Sequence, residues 1–159
     1  MLRFCDNPAV VHPQTDDLAT VPGTWWIGHT KARCEKAFAF DLSERGIAYF
    51  LPMVERVTFS GGRKRRGMLP LFTSHVFFAG DETTREQALH TNRLCRAVEA
   101  NDPSRFIAEL TTVLRLLIEK APVEKLLIHV SQLEQCRSME IAPQLLESIQ
   151  VLETLGRAS

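Results

Sequence analysis

The chain has 159 residues, 45% hydrophobic and 24% charged, and its 19 basic and 19 acidic side chains cancel to a formal net charge of +0. That length gives one domain of ordinary size with room for an appendage. Neutrality excludes a bulk field that gathers nucleic acid, so any such contact needs a local patch. No stretch approaches the about 20 apolar residues of a membrane span. The N-terminus, with Asp6, Asp16 and Asp17, does not read as a signal peptide. Cys5, Cys34, Cys95 and Cys136 are scattered and form no CxxC pair. We therefore expect a cytoplasmic protein with buried thiols, no structural metal and no cofactor.

Residues 1–22, punctuated by Pro8, Pro13 and Pro22, read as an irregular leader and are expected to be mobile. Trp25 to His29 reads as a strand, which puts the two adjacent indoles on opposite faces. Lys31 to Arg45 reads as a helix, with Cys34, Ala37, Phe38 and Leu42 at spacings of three and four and Gly46 as its stop. Tyr49 to Ala79 reads as a hairpin whose strands are separated by a tip at Gly61-Gly62 and Arg63-Lys64-Arg65-Arg66, the return strand running from Phe72 to Phe78. Pro52 argues for an edge or a bulge. Thr84 to His90 predicts a short helix and Arg96 to Ala100 a strand. Asp102 and Pro103 then open the clearest helix, with Ile107, Leu110, Leu114, Leu117 and Ile118 at helical spacing. This order predicts an α+β domain over residues 23–121, with a mainly antiparallel four-stranded sheet flanked by helices. Residues 122–159 read as a weakly helical tail, in which Leu126 to Val130 fits a short strand or a helical turn and Pro143 to Leu155 has helical spacing.

The tip cations Arg63, Lys64, Arg65 and Arg66 support phosphate contact and a merely solvated tip equally. Lys31 and Arg33 oppose the dipole at the start of their helix. His29, His75 and His90 lack a nucleophile motif, a phosphate-binding loop or an HExxH around them, so a binding role is favoured over an enzyme. Phe50, Phe72, Phe77 and Phe78 read first as core. One hairpin supplies apolar residues to both faces of the sheet, however, which leaves room for a groove that receives a partner helix.

Several of these segments together resemble a family. Thr24-Trp25-Trp26-Ile27, Phe50-Leu51-Pro52-Met53-Val54, Gly61 to Arg66, Pro70-Leu71-Phe72 and Val76-Phe77-Phe78 are similar, in order and in loop length, to the N-terminal domain of NusG-like transcription elongation factors, and especially to the RfaH-like antiterminator branch. The resemblance implies a non-enzymatic elongation or antitermination factor that binds the clamp helices of the largest subunit of RNA polymerase through an apolar sheet patch. By position that patch includes His29, Leu51, Phe72, His75 and Phe77. Polar replacement of Phe72 and Phe77 is then expected to weaken polymerase binding while the domain stays folded. Lys31 and Arg33, with Arg63, Lys64, Arg65 and Arg66, would lie near non-template or upstream DNA. No membrane and no small-molecule substrate are implied.

The chain departs from the family where it reads Phe72-Thr73-Ser74-His75, since members usually read Phe-Pro-Gly-Tyr or Phe-Pro-Asn-Tyr there. Val123 to Ser159 also lacks the glycine-containing strands of the KOW barrel that normally follows. A tail of this kind fits a remnant, a helical replacement or a cover for the apolar patch. Two other readings stand beside the first: a general nucleic-acid-binding module acting through the tip, and a degenerate paralogue without polymerase binding.

Overall fold

Proline has no N–H to donate to a strand ladder, and at Pro52 the chain leaves one sheet and enters another. In this computed structural model, which describes residues 7–133 and 139–145, the elements are β1 (Val11–His12), β2 (Thr24–Thr30), α1 (Glu35–Glu44), β3 (Ala48–Phe50), β4 (Met53–Ser60), β5 (Arg63–Pro70), β6 (His75–Gly80), α2 (Glu82–Leu89), β7 (Leu94–Glu99), α3 (Pro103–Ile118) and α4 (Val123–Ser131). A single 3-10 turn occupies Leu18–Thr20. The main sheet has the order β1-β3-β6-β2-β7, and all its neighbours are antiparallel. Its four longer strands are the sheet expected from the sequence, and β1 adds a short fifth strand at one edge.

The expected hairpin is built differently. Gly61 and Gly62 both have positive φ, 58° and 76°, the geometry of a two-residue turn that matches strand twist. Ser60 therefore pairs with Arg63, and the ladder runs back to Met53 opposite Pro70. Arg63 to Arg66 is the start of a strand, not a loop tip. β4 and β5 form a separate two-stranded ribbon, while β6 joins β3 and β2 in the main sheet.

Alternation along the sheet strands separates two cores. On one face Trp26, Tyr49, Val76 and Phe78 pack with Phe38, Ala39 and Leu42 of α1 and Ala88 of α2. On the other, Trp25, Phe50, Phe77 and Ala79 pack with Phe106, Leu110, Val113 and Leu114 of α3. The two tryptophans do lie on opposite faces: Trp25 Nε1 donates to the Leu18 carbonyl (3.2 Å), and Trp26 Nε1 to that of Gly80 (3.1 Å). The Arg85 guanidinium lies 5.5 Å from the centre of the Trp26 ring. α1 starts at Glu35, later than expected, because Arg33 takes a left-handed φ of 61° in the turn before it. α3 begins where Asp102 and Pro103 place it, with the Asp102 carboxylate accepting from the Arg105 N–H.

The leader is tied down over its described part. β1 pairs with β3, and Leu18 is fully buried against α3, its N–H facing the Thr111 hydroxyl at 3.3 Å. The mobile leader expected from the prolines is thus a docked edge from residue 7 onward, because it has a core side chain to bury. Cys34 is half-buried and Cys95 exposed, contrary to the expectation of buried thiols; Cys5 and Cys136 lie outside the described residues.

In the middle of β2, a Cβ at Gly28 would stand 2.8 Å from the Val76 carbonyl oxygen and 3.2 Å from Phe78 and Leu94 side-chain atoms. The backbone oxygen cannot swing away. Gly28→Ala is therefore expected to cost about 1–3 kcal/mol of stability, read as a lowered urea midpoint at unchanged m-value.

Candidate functional site: a covered apolar face and a basic ribbon

The five residues expected to form one apolar patch do not form one. Phe72 and Phe77 share the α3 face, with rings 6.0 Å apart and edge to face. Leu51, just past β3, packs instead on the α1 side with Phe38, Tyr49 and Met53. All three are buried, at 0% exposure for Leu51 and Phe77 and 1% for Phe72. Phe77 is sealed by α3, whose Phe106 ring lies 5.5 Å away in a T-shaped contact.

Phe72 has a different cover, supplied by the tail. α4 contributes Leu126, Leu127 and Val130 to the core that holds Leu71, Phe72 and Val54, and Leu133, Met139, Ala142 and Leu145 continue it. The strap at 139–145 is fastened by backbone. Thr73 N–H donates to the Glu140 carbonyl (2.8 Å), Ala142 N–H donates to that of Leu71 (3.0 Å), and Phe72 bridges Ile141. Leu126 to Val130 is thus helix, and the helical spacing expected from Pro143 onward continues outside the described residues after Leu145. The Thr73-Ser74-His75 departure lies beside this strap. A proline at position 73 would have no N–H to offer Glu140, so the threonine found there is what permits the bond.

His29 and His75 are half-buried neighbours across β2 and β6, with ring centres 5.0 Å apart. His75 Nδ1 lies 2.7 Å from the Thr73 carbonyl oxygen, which can only accept, so this nitrogen carries the proton. Burial pushes the His75 pKa below its ordinary 6.5, with nearby His29 and Arg96 acting in the same direction; the Thr73 bond and Glu140 oppose them. A histidine depressed in the folded state takes up its proton later than it does in the unfolded chain. Stability therefore falls as pH drops through about 6.5 towards the folded value. The Tm difference between pH 7.5 and pH 5.5 is expected to shrink in His75→Gln. An unchanged difference would place that dependence on other groups.

The cations fall into two places. Lys31 and Arg33 are exposed in the loop between β2 and α1, where Lys31 Nζ donates to Asn92 Oδ1 (3.3 Å). Arg33 lines a cleft whose other walls include Thr73, Ser74, Ala142 and Pro143, so it faces the strap. Arg63, Lys64, Arg65 and Arg66 are exposed along β5, and alternation divides them between the two faces of the ribbon. Sequence reasoning missed two things. Nothing in the sequence reading singles out Phe59, which is 76% exposed near the turn. The available signal was its place next to Ser60 and the Gly-Gly turn, far from the end of the ribbon that meets the core. The strap was not foreseen, since its bridging depends on tertiary contact.

A sheet of this order, with α1 and α2 on one face and α3 on the other, defines a NusG-like N-terminal domain. A family model described as "Transcription termination factor nusG" matches residues 23–124. The chain belongs to the NusG family of non-enzymatic transcription factors. The match spans β2 through α3 and stops two residues into α4, so the leader and the strap lie outside it. No curated protein matches the chain. Among the described residues no helix is long and apolar enough to cross a membrane.

Proposed function

We propose that the chain is a transcription elongation or antitermination factor that docks on the clamp helices of RNA polymerase through the apolar surface around Phe72, and that its own tail occupies this surface in the closed form. The observation that carries the reading is the cover itself. Leu126, Leu127 and Val130 of α4 lie on the same core as Leu71 and Phe72, and α4 is an amphipathic helix, the shape that a partner helix would present to the same groove. Its cover lies almost wholly outside the family match, as an addition to the shared domain would. Displacing it bares Leu71, Phe72 and Val54 beside the half-buried pair His29 and His75. Phe77 and Leu51 support the surface from beneath, without contact. Arg33 stands on the strap side, Lys31 beside Asn92, and Arg63, Lys64, Arg65 and Arg66 on the ribbon, as cations for nearby non-template or upstream DNA.

Co-purification with RNA polymerase from native cells tests the reading. Wild-type chain is expected to be retained weakly, and a chain ending at Ala121 to be retained strongly, provided that circular dichroism shows the truncated domain folded. Loss of retention on truncation, with the domain folded, would remove the polymerase assignment.

A further inference from the structure

β4 and β5 leave the core as a bare ribbon, in which every residue from Val57 to Arg66 is exposed. The register places Phe59 opposite Lys64 and Val57 opposite Arg66. Directly paired residues share a face, and successive residues alternate. One face therefore carries Val57, Phe59, Lys64 and Arg66, while Arg56, Arg63 and Arg65 lie on the other. Phe59 is 76% exposed and Val57 42%, so neither side chain serves the core. The ribbon holds five cationic side chains against one carboxylate, Glu55, which stands 3.6 Å from Arg66 Nε. Since the whole chain is neutral, the remainder is acidic, and positive charge is concentrated here.

We infer that the Phe59 face of the ribbon binds an unpaired DNA strand, with Phe59 stacked on one base and Lys64 and Arg66 on the flanking phosphates. An exposed aromatic ring set among cations is the pairing of stacking platform and charged track that single strands require. A duplex keeps its base faces inside the stack, where this ring finds no partner. The face offers hydrocarbon and cations, and its one nearby carboxylate is already beside Arg66. Stacking and phosphate contact act on every base alike, so binding is expected to vary little with sequence. The inference rests on the reading that the ribbon lies near DNA, and it adds a residue and a strand state to that reading.

The test is fluorescence anisotropy of the full chain with labelled dT12, with rU12 and with a 12-base-pair duplex, across a salt series. Phe59→Ala is expected to weaken dT12 binding about 5- to 150-fold, the range of one lost base stack, at an unchanged salt slope. Phe59→Trp restores it. Lys64→Ala leaves the stack and lowers the slope of log K against log salt by about 0.7. Both positions are exposed, so folding is not at stake. Equal binding by wild type and Phe59→Ala overturns the inference, as does duplex bound as tightly as dT12 or rU12 bound more tightly. Polymerase retention is scored separately. Retention without a Phe59 effect removes the stack alone, and a Phe59 effect without retention removes the polymerase reading alone.

Discussion

Phe77→Ala is expected to cost about 3–5 kcal/mol, a large share of the about 5–15 kcal/mol that a domain holds. The ring is fully buried between Phe72, Phe50 and Phe106, at centroid distances of 6.0, 6.2 and 5.5 Å. Three edge or tilted aromatic contacts leave no room for the neighbours to collapse into the hole without moving α3 off the sheet. A polar residue adds an unsatisfied buried group to the cavity and costs more. Urea unfolding of the purified variant gives the measurement. A loss below about 1 kcal/mol would mean that the α3 face is looser than described. This result also separates two residues that the sequence placed in one role. Polar replacement of Phe77 is expected to unfold the domain, whereas Phe72 sits under the strap and reports on docking.

Loosening the cover is expected to have the second large effect. Leu127 is fully buried in the tail helix, and a buried Leu→Ala change costs about 2–5 kcal/mol. If the cost falls on the closed form alone, even about 2 kcal/mol raises the open fraction roughly 30-fold while the open form stays rare. Amide hydrogen exchange reads this directly. Protection of α4 is expected to fall by that factor in Leu127→Ala, with β2 and β6 almost unchanged, because their ladders do not depend on the tail. A uniform loss of protection across the chain would show that α4 is an integral part of the fold and not a cover.

Much of the domain was legible because its signals are local. Asp102-Pro103 marks the start of α3 through capping chemistry, and the alternation of Trp25 and Trp26 assigns two faces without any contact information. The ribbon was misread for a reason equally local. Two glycines with positive φ close a turn by themselves, so the return strand had to begin at Arg63; grouping the four cations as a tip overrode that rule. Leu51 shows where position within a family misleads. Alternation holds across Leu51-Pro52, with Tyr49, Leu51 and Met53 in one core and Phe50 and Val54 in the other, so it was the positional resemblance that set Leu51 beside Phe77. The cover was one of three fates that the sequence left open for the tail. α4 carries apolar residues in a run that suits strand or helix equally, and the core it joins, with Leu71 and Phe72, lies more than 50 residues away in sequence.

On the proposed reading, the surface around Phe72 is a docking face held shut by the tail. Titration of RNA polymerase with labelled full-length chain, wild type against Leu127→Ala, addresses it most directly. Tighter binding by the variant is expected, by roughly the factor that hydrogen exchange reports for opening of α4, with loss of that gain when Phe72→Ser is added. Equal or weaker binding by a folded Leu127→Ala chain whose α4 has lost protection would contradict it.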